Sequence, residues 1–339
     1  MLEQFAKQSN LPEYKIDQFN NQYYKQAISS FDELTTWSKD LRELLKQQVD
    51  FSSLTHIKDH YSSDGKTIKT EFKTKDGFNI EAVLMQYKDG RNSVCVSCMS
   101  GCPVGCSFCA TGIMGFNRNL SYKEIIDQIL HFQRILVPKN QRVTNIVYMG
   151  MGEPMLNIEN VEKSIDIVND KDKLGIGIRH VTISTVGYVP QLRGFFNKGY
   201  TPRLAISLHA PNQKLRTKIM PTISNLHPLE QLMNFSTWYE KTFNKRITYE
   251  YILIKEVNDQ PEHAIELSKL LFKRLALVNI IKFNPSKELK YKASSNKTVE
   301  RFVKILNNRG IKTTIRYSMG KDIGGACGQL HSINSGNTK

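Results

Sequence analysis

The sequence lacks any apolar run long enough to cross a membrane. No stretch of the 339 residues approaches the ~20 consecutive apolar residues that a spanning helix needs. The first residues, MLEQFAKQSNLPEYK, are polar and lack the apolar core of a signal peptide. Low-complexity tracts and short-period repeats are also missing. We therefore expect a soluble cytoplasmic protein of one large domain, or of one large domain with a small appendage.

Acidic residues are scarce relative to basic ones. Lys and Arg number 47 against 32 Asp and Glu, which gives a formal charge of +15 at pH 7. So basic a balance is typical of proteins that bind nucleic acid. A lysine-rich proteome that keeps its proteins in solution would give the same balance, so charge alone leaves both interpretations open.

Cysteines are few, and their distribution is uneven. Six are present, and five of them lie within the fifteen residues from Cys95 to Cys109, whereas the sixth is Cys327. A disulfide framework would spread its cysteines along a small secreted chain. The clustering therefore favours a metal centre or catalytic thiols.

Local patterns divide the chain into four parts. Residues 1–60 are expected to form a small helical domain, because EYKIDQFNNQYYKQAI has helical spacing and Ser38 can cap the next helix. Residues 61–92 are expected to form a β-hairpin linker around the turn pair Asp76–Gly77. The main domain is expected over 93–330, and a disordered tail over 331–339.

The main domain alternates predicted strands with predicted helices. The strand candidates are SVCVSCM, TNIVYMG, HVTIST, RLAISLH, ITYEYILI, VNIIKFN and KTTIRYS. Ser121 and Glu124 form a capping box at the start of the first long helix. Repeated βα units imply an α/β fold whose parallel sheet is either doubly wound or a barrel. From the strand count and motif positions we predict a parallel partial barrel of six βα units.

Small and polar motifs follow the predicted strands at the same end. GMGEP follows the second strand, STVG ends the third, SLHA ends the fourth and NPS follows the sixth. Barrels and open α/β sheets place their active sites at the carboxyl ends of the strands. One such motif could be turn chemistry alone, but four in register predict a site.

Three cysteines occupy the loop after the first strand, in the sequence GCPVGCSFCATG. Cys102, Cys106 and Cys109 have the spacing C-x3-C-x2-C. Three thiolates can hold three irons of a [4Fe–4S] cluster and leave the fourth iron open to a small chelating molecule. Structural zinc is an alternative, since Cys95 or Cys98 could supply a fourth ligand. An electron-transfer ferredoxin fits less well, because it normally closes its clusters with four cysteines.

This loop resembles that of the radical S-adenosylmethionine (SAM) superfamily. Longer stretches are similar to the RlmN/Cfr group of RNA adenine methyltransferases: CVSCMSGCPVGCSFCATG, GFNRNLS, MGMGEPMLN, STVG, ISLHAPN and DIGGACGQL. The resemblance implies a radical SAM partial (β/α)6 TIM-like barrel, with an RNA-binding role for the small N-terminal helical domain. It also implies a [4Fe–4S] cluster on Cys102, Cys106 and Cys109, and two SAM molecules per turnover.

The resemblance further implies a covalent cycle on two cysteines outside the cluster. Cys327 would receive a methyl group from one SAM, and a deoxyadenosyl radical from a second SAM would convert that methyl into a radical that adds to adenine. Cys95 would then attack the Cys327 sulfur, form a transient disulfide and release the RNA. Glu81 would accept the proton from the methylated carbon. Without the resemblance, Cys95 would be a core residue and Glu81 a solvated strand carboxylate.

The family's SAM contacts also have counterparts in this sequence. They are Gly152, Glu153, Ser184, Ser207, Leu208, His209 and Asn284. The Glu153 carboxylate suits the ammonium group of SAM, whereas His209 by itself would be a structural histidine. GMGEPM is not a full G-x-G-x-x-G fingerprint, so a dinucleotide site is not favoured. Cys98 has no assigned role and is expected to be structural.

The function that the resemblance implies is methylation of adenine C2 in the peptidyl-transferase centre of 23S rRNA. The adenosine 3′ of the tRNA anticodon would be a second substrate, and flavodoxin or ferredoxin the electron donor. The target base must be unstacked, and Lys287–Lys292 is either a phosphate contact or a solvated face. One alternative is the C8 methyltransferase of the same group, which confers antibiotic resistance, although MGMGEP and GFNRNL are more like the C2 branch. A non-catalytic iron–sulfur RNA-binding protein is the alternative of another class, and it would not need Cys327.

Overall fold

The amino-terminal part of the chain is helical before it enters the sheet. In the computed structural model, which describes residues 2–331, helices α1, α2 and α3 span Glu3–Gln8, Glu13–Asn20 and Lys39–Gln48. Ser38 caps α3, as predicted, because its side chain accepts a hydrogen bond from the backbone of Leu41. The apolar side chains of these helices join one continuous core with those of the sheet.

Three antiparallel strands follow the helices. They are β1 (Leu54–Tyr61), β2 (Thr67–Thr74) and β3 (Asn79–Gln86). The predicted turn joins β2 to β3, and Gly77 in that turn has a φ of +94°. Strand β1 begins inside the segment 1–60 that was expected to be helical. Strand β3 pairs with the next strand of the main sheet, so the hairpin continues that sheet. The domain boundaries at 60 and 92 stay predictions.

The main sheet confirms the predicted partial barrel. The remaining strands are β4 (Asn92–Cys95), β5 (Met99–Gly101), β6 (Phe116–Asn119), β7 (Asn145–Tyr148), β8 (Val181–Thr185), β9 (Arg203–Ser207), β10 (Ile247–Leu253), β11 (Ala276–Lys282) and β12 (Thr313–Arg316). The order of strands in the sheet is β1-β2-β3-β4-β7-β8-β9-β10-β11-β12, and β5 pairs only with β6. Strands β4 and β7 to β12 are all parallel. Within residues 2–331 the order does not close, which leaves an open barrel.

Helices connect each parallel strand to the next. They are α4 (Ala110–Ile113), α5 (Tyr122–Leu136), α6 (Ile158–Asn169), α7 (Val189–Asn197), α8 (Gln213–Ile219), α9 (Pro221–Leu226), α10 (Leu229–Phe243), α11 (Pro261–Leu270) and α12 (Asn296–Asn308). The predicted capping box of Ser121 and Glu124 starts α5. The seven parallel strands therefore enclose six βα units, as predicted.

The longest helices are short by the standard of a membrane span. Helices α5 and α10 have 15 residues each, whereas a spanning helix needs about 20 apolar residues. None of the helices in the described part of the chain is long and apolar enough to cross a bilayer. The predicted disordered tail, apart from His331, lies outside the described residues.

Candidate active site

The cysteine loop is held between two short strands that bring its ends together. Strand β5 precedes the loop, β6 follows it, and the two pair antiparallel. The backbone N–H of Cys102 donates to the carbonyl of Gly115 at 2.8 Å, and that of Cys109 donates to Cys106 at 3.1 Å. Gly101 has a φ of +75°, and a Cβ atom there would lie 2.0 Å from the Gly115 oxygen. Only glycine therefore allows this close approach.

The outer side of the loop is anchored by Ser107. Its backbone N–H donates to the Ile219 carbonyl at 3.0 Å, at the end of α8. Its hydroxyl lies 2.9 Å from the hydroxyl of Tyr291. The basic segment Lys287–Lys292 therefore lies directly beside the cysteine loop.

All three loop cysteines line one cavity at the carboxyl ends of the parallel strands. This first cavity has a volume of about 830 Å³, part of it open to solvent. The predicted SAM contacts that line it are Gly152, Glu153, Ser184, Ser207 and His209. The hydroxyls of Ser184 and Ser207 lie 3.5 Å apart, at the ends of β8 and β9. The motifs that the sequence places after separate strands thus meet at one edge of the barrel.

Two of the predicted SAM contacts do not line this cavity. Leu208 is fully buried among apolar side chains. Asn284 is also buried, and its Nδ2 donates to the backbone carbonyl of Cys327 at 3.1 Å. The structure therefore gives Asn284 a contact with the Cys327 loop, and gives Leu208 a packing role.

Glu153 is a buried carboxylate on the wall of the first cavity. Its side chain accepts hydrogen bonds from the backbones of Met155 at 3.1 Å and Val186 at 2.9 Å. Burial raises the pKa of the Glu153 carboxyl to about 7. None of the ion pairs within residues 2–331 involves Glu153. A ligand ammonium group would supply the cationic partner that the Glu153 carboxylate lacks.

His209 is held as a neutral imidazole beside the loop. Burial, aided by the charge of Arg216, lowers the pKa of His209 to about 3. Its Nδ1 accepts a hydrogen bond from the backbone N–H of Ile252 at 3.1 Å, which leaves the ring proton on Nε2. The ring meets Phe108 of the cysteine loop edge-on, with 4.9 Å between ring centroids. A purely structural role for His209 would explain the hydrogen bond at Nδ1. It would not explain why His209 lies on the cavity wall.

A second cavity adjoins the first, and the two cysteines predicted to act in the covalent cycle lie on its wall. It has a volume of about 650 Å³, part of it open to solvent, and its lining includes Cys95 and Cys327. Cys327 and Arg316 line both cavities. Burial, and then the proximity of Cys327, raise the pKa of Cys95 to about 12, whereas Arg316 acts in the opposite direction. Two thiols from distant parts of the chain therefore share one wall.

The Cys327 loop is fastened to the helix that follows the cluster cysteines. The backbone N–H of Ala110 donates to the Gly328 carbonyl at 2.9 Å. The hydroxyl of Thr111 donates to the Leu330 carbonyl at 2.7 Å. Both donors lie in the first turn of α4, so the positions of Cys109 and Cys327 are coupled through a few bonds.

Glu81 is buried but does not line either cavity. Only 1% of its surface is exposed, so its interpretation as a solvated strand carboxylate is wrong. One carboxylate oxygen accepts from the Lys69 ammonium at 2.7 Å, and the other accepts from the backbone N–H of His331 at 2.9 Å. The structure therefore ties Glu81 to the end of the Cys327 loop through His331.

Sequence reasoning missed two charged residues of the site. Arg316 ends β12, and Glu250 lies in β10, buried and bonded to Asn279 Nδ2 at 2.9 Å. The proximity of Cys327, and then of Glu250, raises the pKa of Arg316. Arg316 lies at the carboxyl end of a predicted strand, and that position could have identified it as a site residue. Nothing in the local sequence around Glu250 indicates that it belongs to the site.

The thiols of the loop fit a polynuclear cluster better than a single ion. Within residues 2–331, only His56, Asp59 and His131 form a group of three or more metal ligands whose atoms all lie within 4.8 Å of one another. The loop sulfurs, with or without Cys98, are thus not gathered around one point as tetrahedral zinc requires. Burial raises the pKa of Cys102 to about 12, so a strongly positive group is needed to hold these thiols as thiolates. A [4Fe–4S] cluster fits this donor set, and the adjoining carboxylate and hydroxyls fit SAM.

Comparisons with known proteins agree with this site. The sequence model of the radical SAM superfamily matches residues 96–268. The crystal structure of a radical SAM methyltransferase from Sphaerobacter thermophilus is 40% identical, with a TM-score of 0.94, and covers 97% of this chain and 96% of that one. The fold and the three-cysteine loop thus define a radical SAM protein, whose cofactors are a [4Fe–4S] cluster and SAM.

Curated relatives narrow the assignment. The probable dual-specificity RNA methyltransferase RlmN of Dictyoglomus thermophilum is 43% identical over 95% of this chain and 91% of its own. A relative of the same description from Staphylococcus aureus strain JH9 is 40% identical over 94% of this chain and 87% of its own. The chain belongs to the RlmN family of radical SAM RNA methyltransferases.

Proposed function

We propose that this protein methylates C2 of an adenine in the peptidyl-transferase centre of 23S rRNA, and also the adenosine 3′ of the tRNA anticodon. The observation that carries the proposal is the position of Cys327. It lines one cavity with the three cluster cysteines and another with Cys95. The relatives' description as dual-specificity RNA methyltransferases supports RNA substrates of two kinds.

Adenine C2 explains why such a site would be needed. C2 is an amidine-type carbon that is not a useful nucleophile, so it cannot attack the methyl group of a sulfonium. When bound, the cluster and SAM would supply a methyl group and a radical that removes a hydrogen atom from that methyl group once Cys327 carries it. The carbon-centred radical left on Cys327 can add to such a carbon. Cys327 carries the methyl group as S-methylcysteine, at the boundary between the cofactor cavity and the cavity that receives the base.

Cys95 acts at the end of this cycle. Its thiolate attacks the Cys327 sulfur, and the bond from that sulfur to the methyl carbon breaks. The electron pair of that bond passes to the carbon, which takes up a proton to become the methyl group of adenine, and a Cys95–Cys327 disulfide remains. Arg316 lines both cavities and its charge favours the thiolate of Cys95, against the effect of burial. Glu81 is assigned as the acceptor of the proton from C2 by its match to the family's proton acceptor. In this structure it pairs with Lys69 at 2.7 Å, outside the walls of both cavities.

The remaining predicted contacts are assigned by their place around the first cavity. Glu153 binds the ammonium of SAM, because it is a buried carboxylate without a cationic partner. Ser184, Ser207, Gly152 and His209 line the same cavity. Asn284 and Leu208 act behind the cavity wall rather than on it.

The RNA is proposed to enter through the second cavity. Tyr317 lines that cavity and is 83% exposed, so its ring is free to stack on an unstacked base. The basic segment Lys287–Lys292 lies beside the cysteine loop, where it would contact phosphates. A flavodoxin or ferredoxin is the expected electron donor to the cluster.

Two alternatives predict different products. The C8 methyltransferase would use the same pair of cysteines on another carbon of adenine. A non-catalytic RNA-binding protein has no need for Cys95 and Cys327 on the wall of one cavity, which disfavours that alternative.

Nucleoside mass spectrometry separates these functions. The cluster-loaded protein is incubated anaerobically with SAM, a reductant and unmodified 23S rRNA fragments or tRNA. We expect 2-methyladenosine in both RNAs and none with Cys327→Ala. Detection of 8-methyladenosine would assign the C8 activity, and RNA binding without any methylated nucleoside would assign the binding function.

A further inference from the structure

Two histidines and one aspartate meet between strand β1 and helix α5, and none of them belongs to the cysteine loop. The Nε2 atoms of His56 and His131 lie 3.2 Å and 3.0 Å from the same oxygen, Oδ1 of Asp59. All three ligand atoms lie within 4.8 Å of one another. The two imidazole rings are nearly parallel, with 4.8 Å between their centroids.

A bulge in β1 is what brings two of these side chains to one face. In a regular strand, residues three apart point to opposite faces. The register of β1 against β2 shifts between His56 and Lys58, so that Ile57 is an extra residue. His56 therefore lies opposite Phe72 and Asp59 opposite Thr70, on the same face of β2.

Helix α5 covers that face and supplies the third side chain. His131 lies in α5 and contacts Phe72 edge-on, with 5.2 Å between ring centroids, while Phe72 also contacts His56. The hydroxyl of Thr70 donates to Asp59 Oδ1 at 2.6 Å, which orients the carboxylate. Thr70 thus occupies one lone pair of the oxygen that faces both imidazoles and leaves the other for an ion, while Phe72 packs against both rings and offers no ligand atom.

The distances suit a tetrahedral ion. With metal–ligand bonds of about 2.0–2.1 Å, ligand atoms in a tetrahedral zinc site lie about 3.3 Å apart. The two measured nitrogen–oxygen distances, 3.0 Å and 3.2 Å, are close to this value. The His56 side chain is 45% exposed, so an ion can enter and water can take the fourth position.

We propose that His56, Asp59 and His131 bind a divalent transition-metal ion, with Zn²⁺ as the best match to two imidazoles and one carboxylate. The ion would fasten β1, and with it the amino-terminal helices, to α5 of the barrel. This site is separate from the three-cysteine loop and from both cavities of the active site.

Zinc binding to the cluster-loaded protein tests the site, because the loop cysteines are then occupied. After equilibrium dialysis against Zn²⁺, zinc and iron per chain are counted by inductively coupled plasma mass spectrometry. We expect about one zinc per chain in addition to the cluster irons. His56→Gln and His131→Gln should weaken zinc binding by more than about tenfold, and Thr70→Val by about 10–100-fold.

His60→Gln is the matched control. His60 lies on the same strand but bonds Glu71 instead, so its removal should leave zinc binding unchanged. Iron content and circular dichroism show whether each variant has folded.

X-ray absorption of the zinc-loaded wild type gives a second test that needs no variant. Imidazole and oxygen ligands at about 2.0–2.1 Å are expected, without sulfur. Sulfur ligands at about 2.3 Å would overturn the proposal. The proposal would also be overturned if the wild type took up no zinc, since the three side chains would then be only a hydrogen-bonded His–Asp–His network. A His56→Gln variant that binds zinc as the wild type does would overturn it too.

Discussion

Replacing Cys95 with alanine should separate a chemical role from a packing role. Cys95 is 8% exposed, so the substitution removes one largely buried sulfur atom. Removing a buried group of this size costs about 1 kcal/mol of unfolding free energy, against a total of about 5–15 kcal/mol. The variant should therefore fold, and its Tm should fall by only about 1–2 °C.

The chemical consequence should be large by comparison. Cys95→Ala can still carry the methyl group on Cys327 and form the bond to adenine. It has no thiolate to break the bond between the methyl carbon and the Cys327 sulfur, so the RNA should stay covalently attached. Denaturing gels with labelled RNA measure this cross-link, and peptide mass spectrometry measures methylation of Cys327. Cys327→Ala should show neither methylated enzyme nor cross-link.

Cys98→Ala is the matched control for this experiment. Cys98 is buried to a similar degree, at 2% exposure, and lies three residues further along the chain, but it lines neither cavity. Its alanine variant should lose a similar amount of stability and still release methylated RNA. The reasoning is refuted if Cys95→Ala turns over normally, or if the cross-link persists when Cys327 is also replaced.

Three further results are expected. In anaerobic iron assays, Cys98→Ser should retain about four irons per chain. Cys106→Ser should hold far fewer, because the cluster loses one of its protein ligands. SAM affinity measured by calorimetry should fall as the pH drops below about 7, because protonation of Glu153 removes the charge that faces the ammonium. The affinity should fall by at most about tenfold per pH unit. The Glu153→Gln variant should bind SAM weakly at every pH. Gly152→Ala should lower the unfolding free energy by about 2 kcal/mol or more, because Gly152 has a φ of +104° and a Cβ would lie 2.6 Å from a methionine side chain. Thermal unfolding should show no such loss for Gly194→Ala, which meets open space within α7.

Part of the fold could be read directly from local sequence. The seven parallel strands and the capping box of Ser121 were predictable because each depends on residues close together in the sequence. A continuous apolar run indicates a buried strand, and a Ser followed three residues later by Glu indicates the start of a helix. Strand β1 was missed because its sequence, LTHIKDHY, is polar and its bulge breaks the alternation that identifies a strand. Its pairing with β2, rather than its own propensity, makes it a strand.

The sequence by itself also determined the chemistry available at the active site. The spacing of Cys102, Cys106 and Cys109 predicts an iron–sulfur loop, because three thiols within eight residues can reach one cluster whatever the rest of the chain does. The motifs after the strands predict a common edge, because parallel strands share their direction.

Only the tertiary structure decided which of these groups meet. Cys95 and Cys327 come from opposite ends of the barrel sequence. They line one cavity because the loop after β12 returns to the first turn of α4 and to Glu81 of β3. The same loop brings the backbone N–H of His331 to Glu81, and β12, which precedes it, brings Arg316 to both cavities. Contacts of this kind depend on how distant elements pack, and no local pattern of residues records that packing.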